Sequence, residues 1–277
     1  QHARLPLRIS VERVTPANTD PDNPLPPGYR ANKPFLRAHT NPAFPGFDLA
    51  IPDQKRADIW LADLAQYTAT NDMPRLQIVR LPNDHTSGGR AGAPTPRAQV
   101  ADNDLALGRM IEGLSRSPFW KNTLVIVLED DAQNGPDHVD AHRSPAYVVG
   151  PYVKRNFVDH TPYTTSGILR TMELILGIPP MSQYDASATP MWRCFTPTPN
   201  LSGFNAVPSN INLSDKNVAR NELAERSAKF DLSKEDRVAD HEFSEVIWKG
   251  VRGLHSVMPA PKRAAFIKVT EKKEEDD

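Results

Sequence analysis

Apolar positions recur at helical and strand spacings in separate stretches, and the order of those stretches predicts an α/β protein. From Lys55 to Thr68, Ala57, Trp60, Leu61, Leu64 and Ala65 share one face of a 3.6-residue repeat, with Asn71-Asp72 and Pro74 as stops. Leu76 to Leu81 (LQIVRL) reads as a short strand. Val100 to Ser115 returns to helical spacing, with Val100, Leu107, Ile111 and Leu114 in register. Thr123 to Leu128 (TLVIVL) is an unbroken, β-branched apolar run, the pattern of a strand buried on both faces. Ala146 to Val149 predicts another strand, ended by Gly150-Pro151. Thr165 to Leu176 predicts a helix with Ile168, Met172 and Ile175 facing in, hydroxyls at Thr164 to Ser166 for its N-cap and Gly177 at its C-terminus. His241 to Val251 predicts a last helix, apolar at Phe243, Val246, Ile247 and Val251. Strands alternating with helices imply a mostly parallel α/β sheet.

Proline divides the chain. It occurs 27 times against 14 glycines, and eight of the prolines fall between Thr15 and Gly46. Such a stretch lacks ladder donors and cannot continue a helix, so residues 1–52 read as an extended arm. Residues 53–192 hold the alternating pattern. Residues 193–277 begin with a second irregular stretch (Phe195 to Leu213), continue through the last helix and end in the charged run EKKEEDD. No internal repeat is visible.

Charge and cysteine usage narrow the chemistry. Lys+Arg 33 against Asp+Glu 34 gives a net charge of -1, which supplies no global field for nucleic acid or an anionic membrane. No apolar run reaches the roughly 18 residues of a spanning helix. The single cysteine, Cys194, rules out an intrachain disulfide and a cysteine-rich metal site, so a bound metal must use oxygen and imidazole ligands. The chain opens at Gln1 without a charged-then-apolar leader, and is expected to be part of a longer polypeptide.

Two strand ends carry the candidate chemistry. LQIVRL runs into Pro82-Asn83-Asp84-His85, and TLVIVL runs into Glu129-Asp130-Asp131. In an open α/β sheet, sites form beyond the carboxyl ends of strands. The second segment continues to His142 and holds five carboxylates and two imidazoles, His138 and His142, spaced H-x3-H. That spacing puts both on one side of a helix, whereas Gly135-Pro136 favours their return from a loop. Clustered acids raise one another's pKa, and a divalent cation relieves that repulsion. Each residue alone is an ordinary loop or capping residue; the joint occurrence points to metal. His2, His39, His160, His241 and His255 lack comparable neighbours.

These motifs resemble the C-terminal half of a bacterial phosphoesterase of the alkaline-phosphatase superfamily, on the phospholipase C-like and acid phosphatase-like branch. They are LPNDHTSG, PTPRAQVADNDLALGRMIEGLSRSPFWKNTLVIVLEDDAQNGPDHVDAHRSPAYVVGPYVKR and YTTSGILRTMELILGIPP. Proteins that fuse a β-propeller to such a domain are the nearest in character. The resemblance spans about Asp53 to Met191, with a weaker echo to Ala264. It implies a doubly wound core and two adjacent divalent metals (Zn, Mn or Ca). Asp130 and Asp131 would serve one metal. Asp84 and His85, or Asn83 in place of Asp84, would serve the other together with His142 or His138.

The resemblance also implies a Thr or Ser nucleophile, expected upstream of the matched region. Thr86, Thr164, Thr165 and Ser166 lie near the site but not at that place. The expected function is therefore metal-dependent hydrolysis of phosphate esters in the periplasm or outside the cell. The N-terminal half or the propeller portion would be the partner. A non-catalytic metal-binding or assembly module is the alternative.

Overall fold

Helix α1 (Asp53–Thr70) and helix α2 (Pro96–Ser115) pack along each other and carry most of one unit's core. The computed structural model describes residues 7–8, 12–13, 29–31, 33–130, 132–218 and 220–263. α1 begins after the extended Pro52 and stops at Asn71, which takes a left-handed φ of 50°. α2 starts four residues before its apolar register does. Pro96 sits in its first turn, and the Thr95 hydroxyl caps it by accepting from the Ala98 N–H. Ala57, Trp60 and Leu64 of α1 and Ala98, Ala106, Met110, Ile111 and Leu114 of α2 are buried. The inward face of α2 also includes Gln99 and Asp102, while Val100 is exposed.

Those buried polar residues tie four segments together. The guanidinium of Arg56 is wholly buried and uses five hydrogen bonds. It donates to the carbonyls of Pro45, Gly46, Asp48 and Ile51 and to Asp53 Oδ1, the last at 3.0 Å. The proline-rich arm is thereby anchored to α1. Asp102 on α2 accepts from the Asp53 N–H at 2.6 Å and from Asn83 Nδ2 at 2.8 Å. Asp53 in turn accepts from the Asn83 N–H at 3.0 Å and Asn103 Nδ2 at 3.1 Å. Asn103 Nδ2 also reaches the Leu81 carbonyl at 2.7 Å.

Two short strand pairs accompany this unit. β1 (Leu7–Arg8) pairs in parallel with β4 (Leu76–Gln77), and β2 (Glu12–Arg13) pairs antiparallel with β3 (Tyr29–Arg30). The strand expected over Leu76 to Leu81 is thus paired only at its first two residues. The arm contains a 3-10 turn, Pro34–His39, that its prolines did not announce. Short helix α5 (Glu222–Ser227) and helix α6 (Asp240–Arg252) close around Leu223, Phe230, Phe243 and Val246. The compact unit draws on the chain up to Ser117, Glu129–Ser144 and the chain from Phe204 onward.

The second unit comprises Pro118–Leu128 and Pro145–Gly203. Its strands β5 (Val125–Leu128) and β6 (Ala146–Val149) pair antiparallel, from Val125↔Val149 to Leu128↔Ala146. This departs from the mostly parallel, doubly wound sheet implied by the sequence. A parallel return needs a crossover, usually a helix, and the described residues between β5 and β6 form none. Helix α3 (Thr165–Leu176) has the predicted bounds, with the Thr164 side chain as N-cap and Gly177 left-handed at its end. Ile168, Met191 and Cys194 form the core against Ile126, Leu128 and Val148, and short helix α4 (Gln183–Ser187) packs beside α3. Ile175, expected inside, is exposed, and every β5 residue is partly exposed rather than buried on both faces. The run EKKEEDD lies outside the described residues.

Burial pushes the Asp53 carboxyl up from 3.8 to about 6, against the opposing bonds from Asn83 and Arg56. The folded protein therefore holds the Asp53 proton more tightly than the unfolded chain. This group's contribution to stability falls as pH rises from about 4 to about 6 and is level above that. Over that window, wild type should lose roughly 3 kcal/mol of unfolding free energy relative to Asp53→Asn. Denaturant titrations of both proteins across the range measure it, and a constant difference would contradict the assignment.

Candidate functional site

The residues expected at the first strand end are held on a 3-10 turn, Pro82–His85. Proline at its first position fixes φ, and the Asn83 N–H is tied to Asp53. Asn83 is buried with its amide nitrogen on Asp102, yet its Oδ1 has no hydrogen-bond partner. A buried carbonyl oxygen left in that state costs free energy unless something else meets it. Asp84 and His85 follow at the rim.

Thr86 leaves the turn with φ 64° and ψ 166°. That region is essentially restricted to glycine, so a β-branched residue there stores about 1–3 kcal/mol of strain. Its surroundings hold it in place: the Thr86 N–H donates to the Asn83 carbonyl at 3.1 Å, and its hydroxyl accepts from the Gly88 N–H at 3.2 Å. The Ser87 N–H donates to the buried Gln99 side chain at 2.7 Å. Gly89 completes the loop by donating to Ser227 Oγ at 2.9 Å. A Cβ at Gly89 would stand 2.8 Å from Leu223 Cβ, so only glycine allows this approach to α5.

Two phenylalanine rings contact the His85 imidazole. Phe47 from the arm meets it edge-on at 5.2 Å, and Phe243 from α6 lies tilted against it, also at 5.2 Å. Arg80 places its guanidinium over the Phe47 ring at 5.4 Å. Arg80 is also ion-paired with Glu235 and lies 4.0 Å from Asp130 Oδ2. Part of Asp84 is open to solvent, but the protein around its carboxylate desolvates it and pushes its pKa up. The negative charge of Asp130 adds to that rise, while local backbone donors and His85 oppose it. Asp84 thus senses the charge of Asp130, which comes from a different segment. Asn103 Nδ2 adds a long contact to Asp84 at 3.4 Å.

The remaining predicted residues are placed differently. Residues 132–144 form an irregular loop rather than a helix, with Gln133 and Asn134 at positive φ. His138 is largely exposed, 4.0 Å from Asp137. His142 Nδ1 is 2.7 Å from Asp140 Oδ1. Asp137 accepts from the Val139 and Asp140 N–H groups and from Arg143, which holds its carboxyl down at about 2. The loop is fastened to the C-terminal segment by Ala141 N–H to the Lys262 carbonyl and by Asn134 Nδ2 to Asp240. Asp131 lies outside the described residues. Among the described residues, no three His, Cys, Asp or Glu side chains converge closely enough to hold a metal ion.

Sequence patterns missed Phe47, Arg80, Glu235 and Phe243 as parts of this region. Phe47 sits in the proline-rich arm and Glu235 in a polar turn, so neither carries a periodic signal. Arg80 was counted within a strand and Phe243 within an apolar helix face. Removing the Asp130 charge by Asp130→Asn should lower the Asp84 pKa in an NMR side-chain titration. An unchanged Asp84 titration would mean that the two carboxylates do not sense one another.

The sequence model of the Phosphoesterase family matches residues 28–179, more than half of the chain. No curated protein sequence matches it. The matched span includes the Asn83–His85 turn, the strained Thr86 and the acidic segment after β5. The chain belongs to the phosphoesterase family.

Proposed function

We propose that this chain carries the metal-binding part of a phosphate-ester hydrolase of the alkaline-phosphatase superfamily. The observation that carries the reading is the Phosphoesterase family match over residues 28–179; on the Pro82–His85 turn within it, Asp84 senses the charge of Asp130 and the buried Oδ1 of Asn83 lacks a partner. Two carboxylates, a carbonyl oxygen and an imidazole are donor types suited to a divalent cation such as Zn or Mn, and less well to Ca. The donor types fit the group, while among the described residues their present spacing does not close a site. Asp84, His85 and Asn83 would hold one ion, and Asp130 with Asp131 a second. His138 or His142 would join only if the 132–144 loop shifts away from its Asp137 and Asp140 contacts.

Such ions, when bound, neutralise phosphoryl charge and polarise the scissile ester. The chain's own residues supply orientation. The Asp53–Asp102 network fixes the turn that bears Asp84, and the two phenylalanines pack on His85. Arg80 presents a guanidinium at the same rim, a geometry suited to the non-reacting oxygens of a phosphate monoester or diester. The attacking hydroxyl would come from polypeptide outside the matched region, in the same gene product or a partner chain. We place the protein in the periplasm or outside the cell on the family resemblance.

Elemental analysis after dialysis against Zn or Mn, with a chromogenic phosphate ester assayed in parallel, tests the reading. The chain should retain metal, lose it to chelator and lose at least one equivalent in Asp130→Asn. Turnover, if this chain supports it unaided, should vanish with chelator. Metal retention without turnover would locate the nucleophile elsewhere. Failure to retain metal, or chelator-insensitive turnover, would contradict the proposal.

A further inference from the structure

Phe243 belongs to α6, more than sixty residues beyond the end of the family match, yet it packs on the His85 ring. It is itself fixed, being almost wholly buried and packed edge-on against Phe230 at 5.6 Å. A second ring, Phe47 from the arm, meets the imidazole at right angles. The imidazole Nδ1 lies 3.4 Å from the Thr86 carbonyl oxygen. A carbonyl only accepts, so a contact there requires the proton on Nδ1. The lone pair is then left on Nε2. The strained φ and ψ of Thr86 direct that carbonyl.

We propose that α6 is a positioning element of the site: Phe243, together with Phe47, packs on His85 and holds it as the Nδ1–H tautomer on the Thr86 carbonyl, and so presents Nε2 as a metal ligand. This deepens the metal-site reading and rests on it for the identity of the ligand that Nε2 meets. Fixing a ligating histidine by donation from its other nitrogen is a general device, and removing it typically weakens metal binding about 10–100-fold. Here two rings from distant segments pack on the imidazole, and the hydrogen bond selects the tautomer.

Long-range nitrogen–proton NMR of the full chain, in mildly alkaline buffer, reads the tautomer of each histidine directly, with His85→Gln for assignment. Wild type should show His85 as Nδ1–H. Phe243→Leu should shift it toward a mixture, while Phe230→Leu, which thins the same apolar cluster but leaves both rings, should not. Adding Zn should move the Nε2 resonance in wild type, with at least tenfold weaker affinity in Phe243→Leu than in Phe230→Leu. An Nε2–H tautomer in wild type, or the same tautomer and Zn affinity in both variants, overturns the positioning role. An Nδ1–H tautomer that responds to Phe243→Leu but not to Zn supports the positioning and overturns the metal reading instead.

Discussion

The burial of Arg56 imposes the constraint around which the first unit is arranged. A guanidinium removed from water needs a counter-charge and a partner for every N–H. Asp53 supplies the charge, and four carbonyls of the proline-rich arm supply most of the remaining acceptors. Asp53 in turn is too deeply buried to be satisfied by Arg56 alone, and it takes further donors from Asn83 and Asn103. Asp102 closes the circuit from α2. The arm, both helices and the Pro82–His85 turn therefore share one polar network. Losing any member strands another inside the protein.

That network explains why a reactive-looking turn can sit at the end of so short a strand. β4 contributes only two paired residues, far too little to place a side chain precisely. Placement comes from beneath, through Asn83, and from the sides, through Phe47, Phe243 and the Gly89–Ser227 contact. The strain at Thr86 is held by the same contacts. Asp84, set on that turn, is desolvated and also senses the charge of Asp130, and both effects raise its pKa.

Much of this was legible in the sequence, for identifiable reasons. α3 and β6 were readable to the residue, because Thr164, Gly177 and Gly150-Pro151 punctuate them sharply. The start of α2 was misread because apolar periodicity cannot register a buried Gln99 and opened instead on Val100, which is exposed. The β5 run was read as a central parallel strand, but the chain returns without a crossover helix and pairs antiparallel. At the site, residue type and strand-end position were enough to nominate Asp84, His85 and Asp130. The aromatic contacts and Arg80 were not legible, because their role depends on contacts between segments far apart in the chain, such as Arg80 with Glu235 and His85 with Phe243. The histidine pair His138 and His142 looked equivalent to His85 on paper; their aspartate contacts within an exposed loop distinguish them.

The central claim is that Asp84, His85 and Asp130 are donors to a divalent ion. Crystals of the protein grown with Zn, with diffraction recorded on either side of the zinc absorption edge, test it most directly. The account predicts an anomalous peak about 2.0–2.2 Å from His85 Nε2 and from a carboxylate oxygen of Asp84 or Asp130. A peak confined to His138 and His142, or none within reach of the Pro82–His85 turn, would contradict it.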